Sequence, residues 1–288
     1  MSDKAKRNWN RGALPWSPPV SSITLDRKTS SFTVPRLRVR GGRWVSPLLL
    51  LLLWELGSRT GAIPERILAA PSAVAVTFWS MVVSGELPSN LAVSLVRALA
   101  GLAFGLVTGV VLALAAGLSR AGETAIDPLM QLKRTIPVLA LTPLFIVWFG
   151  IGETPKITLI AVATVFPIYM NLFSGIRGVD ARLIEAGKSF GLSQAELIRH
   201  VILPGALPSF LVGLRYALGV SLLVLVVAEQ INASAGIGHL INNARDFMRT
   251  DVIVVCLVVY ASLGLAADQL VRTLEARALA WRPTFIKS

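Results

Sequence analysis

Cysteine, histidine and charge are all scarce in this 288-residue chain, which has one Cys, two His and 15% charged residues. A single cysteine, Cys256, cannot form an intrachain disulfide, and its place inside an apolar run reads as packing. His200 and His239 stand apart, and neither belongs to a zinc-ligand or catalytic-triad spacing. No G-x-x-x-x-G-K-[ST] stretch is present, so the chain has no phosphate loop with which to cradle ATP. Within the apolar runs there is no H-E-x-x-H, no pair of acids and no Ser–His arrangement, which argues against an intramembrane hydrolase. Soluble domains carry roughly 25% charged residues. The shortfall here, with 54% hydrophobic residues and a mean hydropathy of +0.66, points to a bilayer as the solvent.

What charge there is falls unevenly. Residues 1–43 hold ten Lys or Arg against two acids, are rich in Ser and Pro, and show no apolar period. They read as a disordered basic tail, because too little apolar surface is available to offset the entropy of ordering them. A nucleic-acid arm is disfavoured by the apolar runs that follow, and no nucleic-acid partner is expected. The "PLLLLLLW" run begins too far from the start for a signal peptide and lacks a clear cleavage site.

Residues 44–288 form one all-helical transmembrane domain by this reading, with spans over Trp44–Leu56, Leu91–Leu118, Ile126–Phe149, Ile157–Ile176, Pro208–Ile231 and Val252–Leu270. A bilayer core of ~30 Å needs about 20 helical residues, so the first of these, with Glu55 inside it, is short. Pro71–Ser84 is apolar for only about a dozen residues and suits an interfacial helix. Placing both termini in the cytoplasm puts 19 Lys or Arg on the inside and five on the outside. The opposite orientation would grossly violate the positive-inside bias.

One stretch does not belong in a bilayer: "EAGKSFGLSQAELIRHVILPG", residues 185–205, is amphipathic, charged and broken by glycine. Asp180 is placed to cap a helix running to Phe190, and Gly191 ends it. Ser193-x-x-Glu196 is a capping-box pattern that opens a second helix, which Pro204 is expected to close. Leu183, Ile184, Phe190, Leu197, Ile198 and Val201 offer apolar knobs for a groove on another protein. By physical chemistry alone, an amphipathic loop lying on lipid headgroups fits equally well.

The spacing Glu185-Ala186, Gly191 and Val201-x-Leu203-Pro204 resembles the EAA loop of the permeases of binding-protein-dependent ABC importers. Gly187 stands where that pattern has a second Ala, and Val201 where it has Ile. The likeness runs from about Pro71 to Trp281, through "SGELPSNLAVSLVRALAG", "LALTPLFIVWFGIGETPKI", "FPIYMNLFSGIR", "VILPGALPSFLVGLRYALG", "AGIGHL" and "NNARDFMRTDVIVV". It is strongest to the nitrate, taurine and aliphatic-sulfonate branch, and within that to alkanesulfonate permeases. The resemblance implies a type I importer permease fold in the bacterial inner membrane, with residues 177–206 carrying a coupling helix. Glu185, Ala186, Gly187, Gly191, Leu203 and Pro204 become ATPase-coupling candidates. Its implied partners are a cytoplasmic ATPase dimer, which would hold ATP and Mg, a periplasmic or surface-anchored substrate-binding protein, and a second permease copy. That copy would be the same chain in a homodimer or a sister permease in a heterodimer. The cargo would be a small organic anion, an aliphatic sulfonate first, with taurine, nitrate or another small nutrient as alternatives. A passive channel would have no use for such a loop.

Charges left inside the spans are costly in hydrocarbon and are functional candidates for that reason. Arg97, Lys133, Arg134, Arg215 and Glu229 form this set, and Asn171, close after Pro167, joins it as an uncharged polar group at an expected helix break. Cations facing a water-filled path would favour an anion. Alternatively, Arg97, Arg134 and Arg215 would snorkel, or pair with helix ends and with Glu229. Gly101, Gly105 and Gly109 repeat a small-x-x-x-small spacing and predict a close helix contact. Pro137, Pro143 and Pro167 are candidate kinks.

Overall fold

The structure, a computed structural model, describes residues 42–281. Residues 1–41 and 282–288 fall outside this range, and with them all but the last two residues of the basic tail. The described residues form helices joined by turns and loops, with no strand among them: α1 over Gly42–Arg59, α2 Pro71–Val83, α3 Glu86–Leu118, α4 Arg120–Thr135, α5 Thr142–Phe149 and α6 Glu153–Arg177. Then follow α7 Ala181–Ser189, α8 Gln194–Leu197, α9 Leu203–Asn232, α10 Ile237–Asp246 and α11 Thr250–Ala278. By length and composition, α3, α6, the continuous α8–α9 rod and α11 can each cross a membrane, and the bent α4–α5 pair makes a fifth. The first expected span lies in α1, whose 18 residues rise about 27 Å. Its Leu48–Leu53 run is exposed throughout, as a lipid-facing surface would be.

The third span is not the continuous helix expected over Ile126–Phe149. It breaks at Ile136–Pro137 and turns by 89° into a short 3₁₀ turn, Val138–Leu141, and α5. The cause is local. Pro137 has no N–H to give, and its ring pushes Ile136 out of the helical region to φ −83°, ψ 121°. Pro143 sits harmlessly in the first turn of α5, and Pro167 is buried within an unbroken α6.

α6 is the axis of the bundle, enclosed by α3 on one side and α9 on the other. The glycine stripe of α3 makes the first contact. A Cβ on Gly101 would lie 2.6 Å from Cβ of Ile160, one on Gly105 2.0 Å from Oγ1 of Thr164, and one on Gly109 2.9 Å from Cβ of Ile168. Lipid tails are as apolar as the side chains, so close backbone approach and packing hold these helices together. On the other face of α6, Gly213 of α9 fits against Asn171 and the carbonyl of Pro167. The Tyr169 hydroxyl donates to Asp127 of α4 at 3.0 Å, and Arg177 pairs with Glu123, so α4 is fastened by polar side chains although none of its residues is buried. Outward-facing Val96, Leu99, Phe104, Val107 and Val111 leave α3 an apolar outer surface.

This geometry separates two glycines by environment. Gly105→Ala should destabilise the detergent-solubilised protein by about 1–3 kcal/mol, the usual cost of overpacking. Gly219→Ala, where an added Cβ would meet nothing beyond its own helix backbone within 4 Å, should leave it unchanged or slightly more stable. Thermal melting of the two variants side by side measures the difference, and equal melting points would contradict the close α3–α6 contact.

Candidate functional site

Two regions gather several of the candidate residues, one at each end of the α8–α9 rod. The first is the loop from α6 to α9. Asp180 accepts from the Arg182 amide at 2.9 Å and starts α7. That helix ends in a Schellman turn: the Leu192 amide donates to the Gly187 carbonyl at 3.1 Å and the Gly191 amide to that of Lys188 at 2.9 Å. Gly191 has φ +79° with nothing within 4 Å of a would-be Cβ, so backbone conformation rather than space reserves this position for glycine. Ser193 and Glu196 complete the capping box, with the Ser193 amide donating to Glu196 at 2.8 Å and the Glu196 amide to Ser193 at 3.4 Å. The Ser193 hydroxyl and amide hold the Glu196 carboxyl below its usual range.

The helix does not stop at Pro204. Ile198–Ile202 opens into a π turn in which the Leu203 amide reaches back to the Ile198 carbonyl, and α9 follows without interruption. A π turn loosens the i→i−4 ladder where the proline cannot take part in it, so Pro204 falls in the first turn of α9. Glu185 and Ala186 are exposed on α7, Leu203 is 38% exposed, and Pro204 is half-buried. Gly187 is buried; a Cβ there would meet Leu197 at 2.6 Å, which is why α7 and the second helix of the loop lie so close. Leu183 and Phe190 face outward, Phe190 at 86% exposure, whereas Leu197 is buried in the loop's own core.

The second region is the far end of the bundle. Arg97 of α3 is 3% exposed and Glu229 of α9 1% exposed, and they meet at 2.7 Å. Arg97 also pairs with Glu153 at the start of α6 through Nε and through Nη2, the latter at 2.7 Å, and gives a 2.6 Å bond to the Ala235 carbonyl. Glu229 accepts from the Ser94 hydroxyl at 2.8 Å, the Gly238 amide at 2.9 Å and the Tyr260 hydroxyl at 3.3 Å. The Ile237 amide donates to Ser94 at 2.9 Å, and the Gly236 amide to Asn90 at 2.7 Å. Carboxylate and hydroxyl acceptors thus meet the open N–H groups at the start of α10. Gly236, at φ +115°, has no room for a Cβ, which would fall 2.3 Å from Oε1 of Glu229.

The sequence candidates divide accordingly. Arg97 and Glu229 come together. Arg215 does not pair with Glu229: it lies lower on α9 and meets Asp268 at 3.4 Å and Glu275 at 2.6 Å, both on α11. Asn171 is half-buried and donates to the Pro167 carbonyl of its own helix at 2.8 Å. Lys133 and Arg134 occupy the last turn of α4, at the elbow; Lys133 is half-buried with its Nζ 5.9 Å from the centre of the Phe166 ring, and Arg134 is exposed. Glu153, Ser94, Asn90 and Lys156 were not among the candidates. Glu153 lies beyond the apolar run that marks the fourth span, and only the helix's extension to Glu153 brings it under Arg97.

Comparison with known proteins bears on the family and the fold. A family model described as "Binding-protein-dependent transport system inner membrane component" matches residues 101–279. The Escherichia coli (strain K12) protein named as the aliphatic sulfonates transport permease SsuC is 47% identical over 252 residues, 88% of this chain and 96% of that one. The taurine transport system permease TauC of the same strain is 40% identical over 192 residues, 67% of this chain and 70% of that one. Among solved structures, one described as an amino acid ABC transporter with histidines aligns with a TM-score of 0.58 at 20% identity, covering 69% of this chain and 98% of that one. At that identity the likeness concerns the fold.

Removing one partner from a buried, desolvated ion pair leaves the other uncompensated, at a cost of about 3–5 kcal/mol. Glu229→Gln should therefore lower the melting temperature of the solubilised protein far more than Glu275→Gln, whose partner Arg215 is 37% exposed and keeps Asp268. Similar losses for the two variants would remove Glu229 from its central place.

Proposed function

The chain belongs to the binding-protein-dependent transport system inner membrane components, and on that premise we propose that it passes a small organic anion, an aliphatic sulfonate, into the cytoplasm in an ATP-driven importer. It is a multi-pass membrane permease subunit and not itself an enzyme; ATP hydrolysis belongs to a partner ATPase. The observation that carries the substrate is the 47% identity over nearly the whole length of SsuC. Likeness to TauC points the same way chemically, since taurine is 2-aminoethanesulfonate.

In this reading residues 177–206 are the ATPase-coupling element. Glu185, Ala186, Gly187, Gly191, Leu203 and Pro204 shape a rigid two-helix unit, and exposed Leu183 and Phe190 supply apolar contact for a cleft in the ATPase. Two copies of the chain as a homodimer match the two clefts of an ATPase dimer. A soluble binding protein docks on the opposite face. Lys133 and Arg134, at the proline elbow and with no carboxylate bonded to them among the described residues, are the intramembrane cations best placed to attract the anion along the path, while Arg215 is tied to α11.

Uptake of labelled ethanesulfonate into proteoliposomes holding the permease, its ATPase and its binding protein tests this reading. ATP-dependent uptake is expected, with a complex mass containing two permease copies. Gly191→Val should uncouple hydrolysis from uptake while the complex still assembles, and Lys133→Gln or Arg134→Gln should lower uptake severalfold at unchanged basal hydrolysis. Full coupled transport by Gly191→Val would remove the coupling assignment, and normal uptake by both charge variants would remove the cations from the path.

Orientation has its own test. In a Cys256→Ser background, cysteines at Ser193 and Ser234 should react with a membrane-impermeant maleimide from opposite sides, Ser193 from the cytoplasm. Labelling of both from one side would contradict cytoplasmic termini.

A further inference from the structure

Arg97 is the most enclosed cation at the binding-protein end, yet its two carboxylate partners differ sharply in burial. Glu229 has a side chain 0% exposed and is held by Ser94, Gly238 and Tyr260 as well. Glu153 has a side chain 53% exposed, and besides Arg97 only Lys156 bonds its carboxylate, at 3.4 Å. It nonetheless occupies the whole Nε–Nη2 edge of the guanidinium, the flat fork that recognises two oxygens of an oxyanion. One carboxylate is built in; the other covers the fork from the solvent side.

We propose that the Nε–Nη2 edge of Arg97 is an anion subsite at the outer end of the permease, masked here by the Glu153 carboxylate, and that a sulfonate or similar monovalent oxyanion occupies it by displacing Glu153. This rests on the reading of the chain as an anion permease. Charge supports it. With Glu153 withdrawn, Arg97 and Lys156 leave two positive charges against the single negative charge of Glu229, so the site needs one monovalent anion. A sulfonate restores the charge of Glu153 and its two-oxygen contact, and offers a third oxygen to Lys156. Lys156 is 5% exposed, and its amine now donates to the Gly152 carbonyl at 2.9 Å. The cleft beside Lys156, between Thr142, Pro155, Leu159 and Ile231, holds a volume of only about 10 Å³, room for one water, so the alkyl part stays on the solvent side.

The mask also has a hinge. Glu153 follows Gly150-Ile151-Gly152; Gly150 has φ +75° and nothing within 4 Å of a would-be Cβ, and Ile151 is 80% exposed. No packed side chain there resists a swing of the first residue of α6. Because the internal carboxylate competes at high effective concentration, the subsite stays weak until it moves. Such an arrangement suits a permease, which must release its cargo.

The test uses the permease–ATPase complex in nanodiscs without binding protein. Equilibrium binding of labelled ethanesulfonate to Glu153→Gln should be about tenfold tighter than to wild type, with neutral ethanesulfonamide showing no such gain. Equal or weaker binding by the assembled variant overturns the proposal. Hydrogen–deuterium exchange on the wild-type complex decides independently of how the variant folds: saturating ethanesulfonate should speed exchange at the amides of residues 152–156, and unchanged exchange there overturns it. Wild-type uptake, measured in parallel, separates the two readings. Uptake without these binding effects sinks the subsite alone, whereas the binding effects without uptake sink the sulfonate permease reading and leave the subsite.

Discussion

The buried pairing of Arg97 with Glu229 is the contact from which the rest of the structure is set. Placing two charges in an apolar bundle costs several kcal/mol per ion unless every donor and acceptor is met. Here the guanidinium reaches Glu229, Glu153 and the Ala235 carbonyl, and Glu229 collects a hydroxyl from α3, another from α11 and an amide at the head of α10. Five helices therefore converge on two side chains. Positions too tight for a Cβ, Gly236 and Gly238, let the backbone close over the pair.

Below this knot the bundle is held by shape. α6 runs through the middle with α3 pressed to it along the glycine stripe and α9 along its other face, so the apolar contacts are continuous from the network to the loop between α6 and α9. The α8–π–α9 rod is 38 residues long, about 57 Å, and carries the capping-box helix at one end and Glu229 at the other. A displacement imposed on the loop thus acts on the same rod that bears the buried carboxylate. Elsewhere the proline elbow between α4 and α5 breaks a spanning segment and places Lys133 and Arg134 where it turns.

Local signals in the sequence determined much of this chain. Spans are long apolar runs, so α3, α6, α9 and α11 were legible from composition and length alone, and the capping box, the Asp180 cap and the left-handed Gly191 each follow from hydrogen bonds closed within a few residues. The close contact of Gly101, Gly105 and Gly109 was legible because a four-residue period keeps one face of a helix bare. Family membership was legible in the spacing from Glu185 to Pro204.

Only the tertiary structure decided which charges meet. Arg97, Glu153 and Glu229 are separated by 56 and 132 positions from the arginine, and no period in the chain encodes a pairing between three helices. Arg215 and Glu229 are fourteen residues apart on one helix, about 21 Å, so they cannot pair within the chain; that it is α11 which supplies Arg215 with Asp268 and Glu275 is a matter of packing. Pro137 and Pro204 make the same point in backbone terms. Each removes one N–H, but at Pro137 the chain turns by 89°, while at Pro204 a preceding π turn carries the helix through, with Gly205 set against Val179. A missing hydrogen bond is written in the sequence; whether the chain bends or absorbs it is settled by what packs around it.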